Sequence, residues 1–189
     1  MQKILITGIS GFVGDHFAHF VAQNRKDFTI YGISRTKPTW DFIPNRNRLL
    51  KKIIFHQADL LDMKNTNRLL QKIKPDYILH FASFSSVANS WKQPAQCFLN
   101  NTNIFLNIIE AVRLNNLDCK ILSVGSSEEY GIVEEKNLPL REDCGTIPAN
   151  PYAVARESCT NLRERLPTQY LLHKVVQSCW TWAERSFCC

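Results

Sequence analysis

The sequence predicts a doubly wound α/β domain on a parallel sheet. Three observations carry that expectation. Short apolar runs alternate with stretches of helical periodicity along the chain, a glycine-rich turn directly follows the first run, and polar strips follow the later ones. Parallel strands need crossovers, and crossover helices cover both faces of the sheet.

The elements follow in order. Lys3 to Thr7 is a short apolar run ending at a glycine, a buried strand feeding a loop. Phe12 to Asn24 carries Phe12, Val13, Phe17, Phe20 and Val21 at helical spacing, so strand, turn and helix succeed one another. Phe28–Ser34 and Ile53–His56 read as the second and third strands. Asp62 is placed to cap a helix over Met63–Ile73, which Pro75-Asp76 ends. Tyr77–Phe81 is the fourth strand, Ala95–Leu114 one long helix, and Lys120–Val124 the fifth strand. Ile132 to Pro148 is charged and proline-punctuated, a surface loop, and Asn150 to about Leu166 is a further helix.

Composition narrows the classes. With 189 residues, 44% hydrophobic and 21% charged, the chain suits one well-buried domain rather than a disordered segment. The net charge of +6 is spread out, with Arg46, Arg48, Lys51 and Lys52 as its one cluster, so no nucleic-acid groove is expected. The apolar run at the start is too short for a signal peptide or a membrane span, which points to a cytoplasmic protein. Seven cysteines without a Cys-x-x-Cys pair argue for reduced thiols.

The turn Gly8-Ile9-Ser10-Gly11-Phe12-Val13-Gly14 has the spacing to bring backbone against a pyrophosphate at a helix N-terminus. A ligand-free αβ turn is the plainer alternative. At the end of the second strand an acidic residue would favour a bare ribose, whereas Arg35 suits a 2′-phosphate, so NADP(H) is favoured over NAD(H). Asp59 either accepts from an adenine amino group or caps its own loop.

Three strips converge on the carboxyl ends of the strands: Gly125 to Gly131, His80-Phe81-Ala82-Ser83, and Tyr152 with Arg156. Four residues apart on a helix, Tyr152 and Arg156 share a face, so the cation favours an ionised phenol usable as acid or base while a serine holds the substrate oxygen.

Together these pieces resemble the extended short-chain dehydrogenase/reductase family over about residues 3 to 157, with Thr7 to Gly14, Asp59-Leu60, His80 to Ala82 and the Tyr-x-x-x-basic pair as matching motifs. Lys74 to His80, Ser85-Ser86-Val87, Ser90-Trp91 and Gly125 to Gly131 look most like GDP-4-keto-6-deoxy-mannose reductases, with GDP-mannose 4,6-dehydratases as close relatives. The resemblance implies a Rossmann-like domain that reduces a GDP-linked 4-keto-6-deoxy sugar with NADPH, the step that yields GDP-rhamnose. It implies Tyr152 as general acid, Ser126 as its hydroxyl partner, Arg156 as the cation and Glu128 where dehydratases keep a glutamate. Implied cofactor contacts are Gly8, Gly11, Phe12, Val13, Gly14, Arg35, Asp59, Leu60, Phe81, Ala82, Ser83, Asn101, Tyr152 and Arg156. The implied partners are a GDP-sugar and a second copy in a homodimer, with no metal.

Two departures stand out. Arg156 replaces the family's lysine, and its planar fork differs from a compact ammonium. After Ser158 no Arg-x-Phe-Asn-x-x-Gly-Pro motif follows, and Cys159, Cys179, Trp180, Trp182, Cys188 and Cys189 accumulate instead. The expectation is therefore an NADP-binding domain over residues 1–158 and a divergent tail over 159–189, the mark of a truncated or frameshifted product without the substrate-binding domain. A non-catalytic dinucleotide-binding module is the alternative function. The tail's cysteines, with His173, match no zinc-ligand spacing.

Overall fold

A computed structural model describes residues 1–39, 52–141, 143–165 and 172–175. Its strands are β1 (Gln2–Thr7), β2 (Phe28–Ser34), β3 (Ile53–Gln57), β4 (Tyr77–His80), β5 (Lys120–Val124) and β6 (Leu172–Val175). They form one sheet in the order β3-β2-β1-β4-β5-β6, and every neighbouring pair is parallel. This is the doubly wound, Rossmann-like arrangement the sequence predicts. The order reverses between β1 and β4, and the carboxyl ends of those strands open a crevice there.

The helices are α1 (Phe12–Asn24), α2 (Met63–Ile73), α3 (Val87–Lys92), α4 (Pro94–Phe98), α5 (Ile104–Leu114) and α6 (Pro151–Arg165). Side chains alternate across the sheet, as the two-residue period of a strand requires. Leu5, Ile78 and Ile121 face α2 and α5 and pack with Leu70, Ile73, Ile108 and Val112. Ile4, Ile6 and Leu79 point the other way and pack with Ala18, Val21 and Ala22 of α1. Each buried leucine, isoleucine or valine among them contributes roughly 1.5–3 kcal/mol. Asp62 caps α2 by accepting the Asn65 N–H at 3.0 Å. The helix stops at Lys74, whose left-handed backbone (φ 49°) precedes Pro75.

Two findings differ from the expectations. The helix expected over Ala95–Leu114 is broken: Pro94 opens α4, a π-helical turn spans Leu99–Asn103, and α5 follows. One extra residue in that turn rotates the two adjoining asparagines relative to the helix on either side. Two elements also lie in stretches not read as elements. The short helix α3 is capped by Ser86 on the Asn89 N–H, and β6 pairs in register with β5, Ile121 opposite Leu172. Helix α6 runs on through Ser158 to Arg165, close to the expected end near Leu166. The accumulated Cys179, Trp180, Trp182, Cys188 and Cys189 lie outside the described residues, as do Arg46, Arg48 and Lys51 of the basic cluster. Among the described residues no helix is long and apolar enough to cross a membrane.

Candidate active site at the switch point

The turn after β1 is built by close backbone approach. Gly8 has φ +70°, and a Cβ there would lie 2.7 Å from Ala82 N. A side chain at this position would therefore both strain the backbone and collide with the strip after β4. Gly14 sits where a Cβ would come within 2.4 Å of Gly8 O, so only glycine lets α1 start against the turn. Gly11 N–H donates to Gly8 O at 2.9 Å, and as N-cap Gly11 supplies no side-chain acceptor to the first turn of α1. Phe12 and Val13 stand 70% and 46% exposed with side chains outside the crevice, so only their backbone belongs to the turn.

A buried polar tie fixes β1 to β4. Thr7 Oγ1 lies 2.9 Å from His80 Nδ1 and accepts the Ala82 N–H at 3.3 Å, while Thr7 O accepts the Phe81 N–H at 3.2 Å. His80 is fully buried. Burial, reinforced by the nearby Arg156 charge, pushes its pKa down to about 3 and keeps the imidazole neutral.

The crevice has a volume of about 380 Å³. Of the residues implied by the sequence, Gly8, Gly11, Arg35, Asp59, Leu60, Phe81, Ala82 and Ser83 line it. Arg35 is exposed at the rim, its carbonyl accepting from Gln57 Nε2 at 2.9 Å, and Thr36 beside it donates to Ser10 Oγ at 3.4 Å. Asp59 Oδ1 accepts the Leu61 N–H at 3.0 Å, so the loop-capping role is realised while the residue still faces the crevice.

Asn101, Tyr152 and Arg156, which also stand among the implied cofactor contacts, are not among the residues lining the crevice, and Asn101 has a bracing role. It is fully buried and braces the strip after β4 instead, with Oδ1 accepting the Phe84 N–H at 2.7 Å and Nδ2 donating to Phe84 O at 3.2 Å. Its neighbour Asn100, which the sequence reading passed over, does line the crevice. Asn100 is 4% exposed, its Nδ2 donates to Gln96 O at 2.8 Å, and its Oδ1 has no partner. A buried acceptor left open in a crevice is a seat for a ligand donor. The pair Asn100-Asn101 was a visible signal, but only the π-helical turn decides which of the two faces in.

The strip after β5 forms a 3-10 turn over Ser127–Tyr130. Ser126 Oγ accepts the Glu128 N–H at 3.2 Å, and Glu129 Oε1 accepts the Ser126 N–H at 2.8 Å. Two bonds stitch this turn to α6 and the residue before it. Glu128 Oε2 accepts from Asn150 Nδ2 at 2.7 Å, and Glu129 Oε2 accepts the Thr160 hydroxyl at 3.0 Å. Tyr152 and Arg156 fall between these anchors, which fixes Ser126 and Glu128 in register with them. The Tyr152 ring packs with Cys97 and Ala155 against Phe84.

The Tyr152 hydroxyl makes no hydrogen bond to the described residues. Arg156 is 4% exposed, its Nε has no partner, and no carboxylate forms an ion pair with it among the described residues. A buried guanidinium without a counter-ion is costly, and a ligand oxygen would offset that cost.

The arrangement has counterparts among known proteins. The family model for GDP-mannose 4,6 dehydratase matches residues 5–182. A GDP-mannose 4,6-dehydratase of Yersinia enterocolitica is 33% identical over 164 residues, covering 82% of this chain and 43% of that protein. A GDP-6-deoxy-D-mannose reductase of Pseudomonas aeruginosa is 27% identical over 161 residues, covering 85% and 46%. The structure of RMD from Pseudomonas aeruginosa complexed with NADPH superposes with a TM-score of 0.71 at 25% identity, covering 93% of this chain and 53% of that one. The chain thus spans about half the length of the relatives it matches, and the family match runs past Ser158.

Proposed function

The chain belongs to the GDP-mannose 4,6-dehydratase family, and from that premise we propose that its site exchanges hydride at C4 of a GDP-linked hexose, in the direction that reduces a 4-keto-6-deoxy sugar. The observation that carries the reading is the double stitching of the Ser126–Tyr130 turn on either side of Tyr152 and Arg156.

The crevice suits a dinucleotide. Gly8 and Gly11 line the crevice ahead of α1, where backbone without side chains suits a pyrophosphate, Arg35 suits a 2′-phosphate, and Asn100 Oδ1 awaits a donor. On that basis NADP(H) is the proposed cofactor, and when bound it supplies the hydride. Tyr152 gives its phenolic proton to the C4 oxygen, Ser126 holds that oxygen through its hydroxyl, and Arg156 stabilises the phenolate that remains.

Dehydration of a GDP-hexose is the second reading, favoured by Glu128, whose carboxylate is held by Asn150, two residues before Tyr152. Product analysis separates the two. Supplied with NADPH and a GDP-4-keto-6-deoxy sugar, the chain should yield a product with two more hydrogens; supplied instead with NADP+ and GDP-mannose, a dehydratase would yield a product lacking one water. Formation of neither product would refute the proposal.

A further inference from the structure

We propose that His80 and Arg156 form an anion site beneath the crevice, in which the imidazole Nε2–H and the guanidinium Nε–H hold one small monovalent inorganic anion such as chloride.

The site begins with a row of polar side chains on one face of the sheet. Strand register sets Thr7 beside His80 and His80 beside Ser123 across β1, β4 and β5, and all three are buried. Thr7 Oγ1 already accepts the Ala82 N–H, and among the described residues His80 Nδ1, 2.9 Å away, is the acceptor in reach of its own proton. A buried hydroxyl proton is costly to leave unbonded, so Nδ1 accepts it and the neutral ring carries its proton on Nε2. That Nε2–H is buried and has no partner among the described residues.

Arg156 brings a second open donor. Its Nε–H is buried without a partner, and no carboxylate among the described residues forms an ion pair with it. Glu129, the buried carboxylate of the turn after β5, has its two oxygens on the Ser126 N–H and the Thr160 hydroxyl. Phe105 connects the two donors. Its ring stands 5.7 Å from the His80 ring, and it packs with Cys159, one turn beyond Arg156. Burial lowers the pKa of His80 and the Arg156 charge lowers it further; burial also pushes the thiols of Cys97 and Cys159 up, which that charge opposes. The guanidinium therefore lies among His80, Cys97 and Cys159.

Two buried donors, one of them on a permanent cation, call for an acceptor that carries negative charge. Water would satisfy both N–H groups but leave the charge uncompensated. Neither His80 nor Arg156 lines the crevice, and the apolar and thiol side chains around them suit a small, weakly hydrated anion better than a phosphate.

The full chain is unfolded in urea at constant ionic strength while sodium gluconate, whose anion is too large for the site, is exchanged for sodium chloride. An anion that binds the folded state alone lowers the unfolding constant, and we expect a fall of about tenfold on reaching about 0.2 M chloride. Arg156→Leu, which removes the cation, should be equally stable in the two salts. In the histidine nitrogen-15 spectrum of the wild type above neutral pH, the signal missing from His80→Asn should show an Nε2–H ring and shift saturably with chloride. A water in place of the anion predicts stability independent of chloride and a His80 signal that does not move. Either result would overturn the proposal, as would an undiminished chloride effect in Arg156→Leu. Should that variant not fold, the His80 titration in the wild type decides alone.

Discussion

Glu129 and Thr160 are joined by a 3.0 Å hydrogen bond that ties the turn after β5 to the helix carrying Tyr152. The same carboxylate accepts the Ser126 N–H, so its loss leaves a buried donor unsatisfied. Glu129→Ala should cost about 2–4 kcal/mol in denaturant unfolding, and Thr160→Val about 1 kcal/mol. Equal, negligible losses would show that the turn is held by other means.

His80 makes the fold acid-sensitive. In the unfolded chain it takes a proton near its ordinary value of 6.5, whereas in the folded chain burial and Arg156 delay this to about 3. Between those values the unfolded state binds more protons, so stability is present above pH 6.5 and is lost as pH falls, by at most about 1.4 kcal/mol per pH unit. His80→Asn should flatten the unfolding profile between about pH 6.5 and 4.5 relative to the wild type; an unchanged slope would contradict the assignment.

In its proposed role, Arg156 trades stability for binding. Replacing a buried cation that has no ion-pair partner among the described residues by an apolar side chain removes its desolvation cost, so Arg156→Leu should stabilise the chain by about 1–3 kcal/mol while weakening NADPH about tenfold or more. Thermal unfolding and calorimetric titration read the two effects separately. A less stable variant with intact affinity would reverse the argument.

The proposed preference for NADP(H) rests on Arg35. Arg35→Asp should weaken NADPH at least about tenfold and leave NADH unchanged or tighter, because an acidic residue there suits a bare ribose and repels a 2′-phosphate. Parallel loss of both cofactors would defeat the assignment.

The sheet was legible because its strands are short apolar runs separated by crossovers, and that alternation has few other solutions. The break within Ala95–Leu114 was not, since apolar residues stand on both sides of the polar turn Leu99–Asn103, at Cys97 and Phe98 before it and at Ile104 and Phe105 after it. That turn also decides between Asn100 and Asn101, which a period alone cannot separate. β6 was missed because composition shifts after Ser158, although pairing with β5 depends on backbone rather than on residue type. Within the site, the glycine turn and the Tyr152–Arg156 pair were readable from spacing. The division of labour between Glu128 and Glu129 was not, because adjacent identical residues differ only in what the fold brings to them.

The most direct measurement is a titration of the purified chain with NADPH, followed by addition of a GDP-4-keto-6-deoxy sugar while the fluorescence of the reduced nicotinamide is recorded. The account predicts saturable binding, then loss of the reduced signal in the wild type and little or none in Tyr152→Phe. Absence of binding, or equal loss of signal in Tyr152→Phe, would contradict it.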